Sequence, residues 1–350
     1  MKKLLACVTS FIVLSVSSVI PADISYAAQK PVVVVIDPGH GGEGGTHPGA
    51  QYNGLVEKEL TLKVANSLKA ELEKFDNITV KLTRTSDVDV SLEDRAVFAK
   101  SSNADFMYSI HFNASNEHEF YGSEVWTSAF GNYYKKGCEF GQLVSSEWSN
   151  LGIYQKGTKT RIGSSGKDYY GVIRQSVARG IPCVILEHAY LDNSVDAARV
   201  KDDSFINSLA RADATAIAKY FKLKSRDGSL DYSTFNYPTV KKPSKKVSQD
   251  ESGPDVCSSK VLATDTATGN ILVEMTTSDK QSPVIYFSYS YDGGRTFCPL
   301  QMWDRSKDTQ SFNVKVPSGT VDPVIVCRSY NNYEKGSQSA AVQVTGTFNY

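Results

Sequence analysis

The sequence predicts an α/β domain, a twisted and mostly parallel sheet with helices on both faces, followed by a small all-β sandwich of the immunoglobulin or fibronectin III kind. Three observations carry this reading. From residue 31 to 223, short apolar runs alternate with longer amphipathic ones, as strands and their covering helices do. From 224 to 255 the periodicity vanishes into Lys, Ser, Asp and Pro, which reads as a linker. From 256 to 350, short strand-like runs recur between turns with no helical stripe.

Val32 to Ile36 is a continuous β-branched run and reads as a buried strand, because branching at Cβ suits the pleat. Leu60, Val64, Leu68, Leu72 and Phe75 recur every three or four residues, so Glu57 to Phe75 is expected to be a helix burying one stripe. Ile78 to Thr83 returns to strand. Ser91 with Asp94 has the form of a capping box and opens a helix over Leu92 to Ser101. Ala104 to Ile110 is a strand that brings His111 to its carboxyl end. Glu124 to Thr127 and Val184 to Glu187 are further strands, and Lys135 to Trp148 and Tyr169 to Ala178 are helical. Phe205, Leu209, Ala212, Ala216 and Tyr220 mark a closing helix. The Gly-, Ser- and Lys-rich stretch from Gly157 to Asp168 reads as a mobile rim. In the last third, strands are expected at Ile271 to Met275, Val284 to Tyr291, Phe312 to Val316, Val324 to Ser329 and Ala341 to Phe348, with a turn at Asp292-Gly293-Gly294.

Basic and acidic residues balance at 38 each, so no overall field draws the chain to nucleic acid or an anionic membrane. Lys2 and Lys3 precede an apolar run from Leu4 to Ile20, and Ser25-Tyr26-Ala27 supplies a small-x-small pattern. Residues 1–28 therefore read as a signal peptide cleaved near Ala27 or Ala28, since Ser and Thr dilute the run below the ~20 apolar residues of a membrane span. The expected chain is secreted, extracellular or cell-wall associated, with no stable membrane association after cleavage. The domains are then 29–223, a linker over 224–255 and a β-sandwich accessory domain over 256–350. Cys138, Cys183, Cys257, Cys298 and Cys327 remain, too scattered for a paired CxxC site, though an oxidising exterior permits one disulfide among the last three.

Three segments converge on one chemistry. His40 follows the first strand in a glycine-rich turn, Glu57 opens the next helix and His111 ends a later strand, and open sheets place ligands at such carboxyl ends. Two imidazoles and a carboxylate are the ligand set of a catalytic zinc that keeps one position for water.

Ile36-Asp37-Pro38-Gly39-His40-Gly41-Gly42, Glu57-Lys58, Leu82-Thr83-Arg84-Thr85, Leu92 with Arg95, Ser109-Ile110-His111-Phe112-Asn113-Ala114 and Pro182-Cys183-Val184-Ile185-Leu186-Glu187 follow one another in a familiar order. In these motifs the chain resembles the zinc-dependent N-acetylmuramoyl-L-alanine amidases of the Amidase_3 type, over nearly all of residues 31–222. The resemblance implies Zn2+ held by His40, Glu57 and His111, with Glu187 the catalytic glutamate. It also implies that the bond cleaved is the amide joining N-acetylmuramic acid to L-alanine in peptidoglycan, by zinc-activated water with Glu187 as general base and then acid. Asp37 either orients His40 or caps the glycine turn. Arg84 and Arg95 serve either as structural ion pairs or as substrate contacts, and Asn113 either binds substrate or closes its loop. His188 reads as a helper behind Glu187, and His47 and His118 as bystanders. No segment resembles the autoinhibitory helix inserted in some relatives, so an open site is expected.

Two other readings compete. One is a non-catalytic cell-wall-binding protein on the same fold, and the other a zinc peptidase acting within the stem peptide. In the last third, Tyr286, Tyr289, Tyr291, Trp303, Tyr330 and Tyr333 form either a sugar-stacking platform or ordinary sandwich packing. The expected accessory role of the sandwich is either a spacer or a wall-adhesion module, and the lysine run of the linker reads as a solvated connection that could also touch a wall polymer.

Overall fold

The computed structural model describes residues 30–350, so the signal-peptide reading of residues 1–28 lies outside the described residues. Six strands form the first sheet: β1 (Val32–Pro38), β2 (Ile78–Leu82), β3 (Phe106–Asn113), β4 (Ser123–Thr127), β5 (Gln155–Lys159) and β6 (Cys183–Tyr190). Their order is β2-β1-β3-β6-β4-β5, and every neighbouring pair is parallel except β6 with β4. Between them run α1 (Glu57–Leu72), α2 (Leu92–Ser101), α3 (Gly131–Asn150), α4 (Gly171–Ala178), α5 (Ser194–Val200) and α6 (Asp203–Phe221).

Val34, Val35 and Ile36 are all fully buried because β1 is covered on both sides, which is why its sequence is continuously apolar rather than alternating. The pleat sorts them. Val34 and Ile36 join Leu60, Leu68, Phe140 and Leu209 in one core, beneath α1, α3 and α6. Val35 joins Ala99, Met107, Val172 and Ile185 in a second core, beneath α2 and α4. Ser91 caps α2, its hydroxyl accepting from the Asp94 N–H at 3.1 Å.

The helix expected to reach Phe75 ends at Leu72, and Phe75 is buried beyond it. β3 and β6 continue past Ile110 and Glu187, so His111 and Glu187 lie within strands, directly opposite each other in the parallel register. The polar residues that broke the apolar runs face a groove rather than end the strands. β5, with sequence Gln-Lys-Gly-Thr-Lys, carries no alternation and forms because the edge of β4 supplies its partner. It takes the first part of the stretch read as a mobile rim.

In the second domain β7 (Val256–Asp265), β8 (Asn270–Ser278), β9 (Val284–Ser290), β10 (Gln301–Met302), β11 (Thr309–Lys315), β12 (Thr320–Val321), β13 (Val324–Asn331), β14 (Gly336–Gln338), β15 (Val342–Gln343) and β16 (Thr347–Phe348) follow in order. One sheet runs β11-β8-β7 and the facing one β10-β9-β13-β14, with β15 beside β13. Ile271, Val273, Phe287, Trp303, Val314 and Ile325 fill the space between, so Trp303 is sandwich core. β7 exposes most of its length and left little apolar signal. The strand expected over Ala341 to Phe348 is two short pieces, β15 and β16. All five described cysteines are free, so the disulfide permitted among Cys257, Cys298 and Cys327 is not formed.

Residues 224–255 contain no helix or strand yet lie against the first domain. Phe235 and Tyr237 pack on its core, and the Val247 N–H donates to the Ala129 carbonyl at 3.0 Å. The two domains share an apolar seam of Phe120, Tyr190, Ile285, Tyr286 and Leu300.

Phe140 is fully buried and packs against Phe106, Tyr108 and Tyr220 in tilted and edge-to-face contacts. Phe140→Ala is expected to lower unfolding free energy by about 3–5 kcal/mol, measured by urea denaturation of the full chain.

Candidate metal centre and active-site groove

The groove follows the carboxyl ends of β1, β3 and β6 on the side covered by α2 and α4. β1 delivers a turn whose shape is set by buried charge. Asp37, 1% exposed, accepts from Arg95 Nη1 at 2.7 Å, Thr83 Oγ1 at 2.5 Å and Ser109 Oγ at 2.7 Å. Burial works to raise its pKa, but the Arg95 charge and these hydrogen bonds hold it below the ordinary carboxylate value. Arg95 also donates to the carbonyls of Pro38 and His40, both at 2.7 Å. Arg84, equally buried, donates to the carbonyls of Pro38, Gly39 and Lys58 at 3.0, 2.9 and 2.8 Å. The turn's carbonyls thus point inward at two guanidinium groups, and His40 is held at φ 60, where a residue with Cβ rarely sits.

That conformation aims His40 at Glu57. His40 Nε2 lies 3.0 Å from Glu57 Oε1, and His111 Nδ1 lies 3.0 Å from the same oxygen. The three donor atoms lie within 4.8 Å of one another, and the imidazole rings meet edge to face at 5.0 Å. Glu57 is fixed by its neighbours: Oε2 accepts the Ala50 N–H at 2.8 Å and Oε1 the Phe112 N–H at 3.0 Å. Burial works against its charge, but hydrogen bonds from His111 and His40 outweigh it and hold the carboxyl far below its usual range. Two glycines make room. A Cβ on Gly39 would stand 2.3 Å from His111 Cε1, and one on Gly49 2.3 Å from Glu57 Oε2. Two ring nitrogens and one carboxylate oxygen, clustered and each oriented by the fold, fit the donor chemistry of zinc.

Glu187 stands one strand over from His111 in register. Its Oε2 is shielded from solvent and has no hydrogen-bond partner. Burial, then the nearby charges of Glu57 and Glu124, push its pKa well above the ordinary glutamate value, and Lys159 and Lys156 offset only part of this. Glu124, opposite Glu187 on β4, is itself ion-paired to Lys159 at 2.6 Å and Lys156 at 3.1 Å.

The other expected residues divide. Asn113 lines the groove, donating to Glu124 Oε1 at 3.0 Å. His188 points to the opposite face of the sheet, buried between Phe112 and Trp148, with Nε2 2.9 Å from Asp213 Oδ2 and Nδ1 3.3 Å from the His111 carbonyl. His47 is exposed beside Asp89 at 3.2 Å, and His118 reaches Asp192 at 2.9 Å. Glu124, Lys156 and Lys159 went unnoticed in the sequence. Lysines in a polar pentapeptide give no sign of burial; Glu124 on β4 together with Glu334 and the Asn332 carbonyl of the second domain enclose them.

The chain is similar to known proteins over its first domain. The Amidase_3 family model, N-acetylmuramoyl-L-alanine amidase, matches residues 34–219. The chain belongs to the N-acetylmuramoyl-L-alanine amidase family. It is 34% identical over 200 residues to the sporulation-specific N-acetylmuramoyl-L-alanine amidase of Bacillus subtilis strain 168, covering 57% of this chain and 71% of that protein. It is 32% identical over 206 residues to the amidase CwlM of Bacillus licheniformis, covering 57% and 72%. Among solved structures it is similar to the catalytic domain of CwlV from Bacillus (Paenibacillus) polymyxa var. colistinus, with a TM-score of 0.48, 28% identity, and coverage of 55% of this chain and 99% of that one. As a member of the amidase family, the chain is a hydrolase of the cell wall's peptidoglycan.

Glu124 gives a stability prediction with a definite sign. Burial works to raise its pKa, but the charges of Lys156 and Lys159 hold it down to about 2, so the ionised form stabilises the fold above the unfolded value near 4.5. That contribution is lost as pH falls from about 4.5 to 2. Glu124→Gln, which leaves the buried Lys159 ammonium without a carboxylate partner, is expected to cost about 3–5 kcal/mol at pH 7 and to flatten this acid dependence, measured by urea denaturation across pH.

Proposed function

We propose that the chain hydrolyses the amide between N-acetylmuramic acid and L-alanine by a zinc-dependent reaction, with His40, Glu57 and His111 holding the metal and Glu187 acting as general base and then general acid. The observation that supports this best is the clustering of the three donor atoms within 4.8 Å, with Glu187 in register beside them. Bound there, zinc supplies a Lewis acid for the amide carbonyl and lowers the pKa of water towards ~7.

The protein's own residues do the rest. Glu187 Oε2, unpartnered and facing the groove, takes a proton from the attacking water. Glu187 then returns that proton to the amide nitrogen as it departs, which an amide, with its poor leaving group, requires. Asp37, Arg84 and Arg95 act as positioning residues by clamping the turn that presents His40. Asn113 and Glu124 brace the wall beside Glu187. His188 supports the His111 backbone from behind the sheet. In this reading residues 1–28 direct secretion, 29–223 form the catalytic domain, 224–255 connect and 256–350 form an accessory domain, and the protein works outside the cell on the wall.

Two outcomes check the reading. Mass spectrometry of purified sacculi incubated with the mature protein should show peptides with a free L-alanine amino terminus, abolished by a chelator and by Glu187→Gln. Cuts between amino acids of the stem would instead show a peptidase, and unchanged release by Glu187→Gln would remove the base assigned here. Gly39→Ala, whose new methyl collides with His111, should lower zinc affinity by about 10-fold or more in a chelator competition while circular dichroism stays native.

A further inference from the structure

Two cavities meet at Tyr170 and divide the active-site residues between them. One, of about 450 Å3, lies between the domains and is lined by Glu187 but by none of the three clustered donors. The other, of about 510 Å3, is lined by His40 and His111 and reaches along the starts of α2 and α4. Their linings differ in kind. Six carboxylates and three cations line the first, which makes it a polar and charged space. The second is walled by Val90, Leu92, Val172 and Ile185. Its buried charges cancel, Asp37 pairing with Arg95 at 2.7 Å, while Asp89 stays half exposed beside His47.

Val172 and Ile185 are buried, but Leu92, the first residue of α2, is 51% exposed. Its place is set by α4: a Cβ on Gly171 would stand 2.5 Å from Leu92 Cδ1, so the two helix starts close on each other across this side chain. An isolated exposed leucine needs no explanation. This one borders an apolar cavity that opens on His40 and His111, where a ligand would cover it.

The reaction sets which half of the substrate lies where. Glu187 returns its proton to the departing amide nitrogen, so that nitrogen and the peptide behind it lie on the Glu187 side. The acyl half then extends from the scissile carbonyl towards His40 and the apolar cavity. Most of that half is a hydroxyl-bearing sugar, but two methyl groups stand close to the carbonyl. One is on the lactyl carbon next to it, and the other belongs to the acetamido group on the ring carbon beside the lactyl ether.

We propose that the cavity walled by Val90, Leu92, Val172 and Ile185 is the subsite for the muramic acid half of the substrate, and that it selects the N-acetylated sugar by enclosing the acetamido methyl. This rests on the amidase reading above. Deacetylation puts an ammonium in place of that group. In this cavity the ammonium would lose hydration without gaining a partner, because the buried carboxylate, Asp37, is already held by Arg95, Thr83 and Ser109.

The test measures binding without turnover. Full-length Glu187→Gln protein is titrated calorimetrically with a disaccharide-peptide and with the same compound deacetylated at the muramic acid nitrogen. The acetylated form should bind about tenfold tighter. On that background Leu92→Ser should weaken the acetylated ligand about fivefold while leaving the deacetylated one within about twofold, and Leu92→Met should restore it. Val90→Ser, outside the helix, should act in the same direction. Equal binding of the two ligands, or the absence of a loss confined to the acetylated one in both serine variants, overturns the proposal whatever the hydrolysis assay shows. A loss shared equally by both ligands is the result expected of a cavity that holds the peptide instead. Intact discrimination in a protein whose wild type releases no L-alanine termini would overturn the amidase reading alone.

Discussion

The buried pair of Asp37 and Arg95 is the interaction on which the site depends. A charge with 1% exposure at the end of β1 is tolerable only because Arg95, Thr83 and Ser109 meet its oxygens. Having paired, Arg95 has donors left for the carbonyls of Pro38 and His40, and Arg84 satisfies those of Pro38 and Gly39. The turn therefore cannot relax, and a histidine is kept in a left-handed conformation that its own backbone would not choose. Without that constraint His40 would not reach Glu57, and Glu57 would lose one of the two imidazoles that share its oxygen.

A second buried network performs the same service on the other side of Glu187. Glu124, Lys156, Lys159 and Glu334 join β4 and β5 to the second domain through charges that are all at least partly withdrawn from water. Removing any one leaves another uncompensated, so the domains are held in a single arrangement rather than by apolar contact alone. Placed between this network and the His40–Glu57–His111 cluster, Glu187 has like charges on both sides and a shielded, unpaired oxygen. Its proton affinity is a property of the assembled fold.

Much of this was legible in the chain itself. The β-branched run of β1, the stripe of α1 and the Ser91 cap each announce their element through local chemistry, and His40, Glu57, His111 and Glu187 stand at the ends of runs whose periodicity locates them. What escaped has physical reasons. β5 and β7 are edge strands whose pairing comes from a neighbour, so their residues need no alternation. His111 and Glu187 interrupt apolar runs and look like strand ends, although their strands continue, because a groove-facing strand carries polar residues on that face.

The sequence by itself determined the order of elements and the change from α/β to all-β character along the chain, and it singled out His40, Glu57 and His111 as candidate metal ligands, because these follow from periodicities and motifs written within a few residues of one another. Only the tertiary structure decided what Asp37, Arg84 and Arg95 hold, which face His188 takes, and that the last third of the chain stands against the active-site groove. Those outcomes rest on hydrogen bonds and ion pairs between residues 25 to 178 positions apart, which no local pattern records.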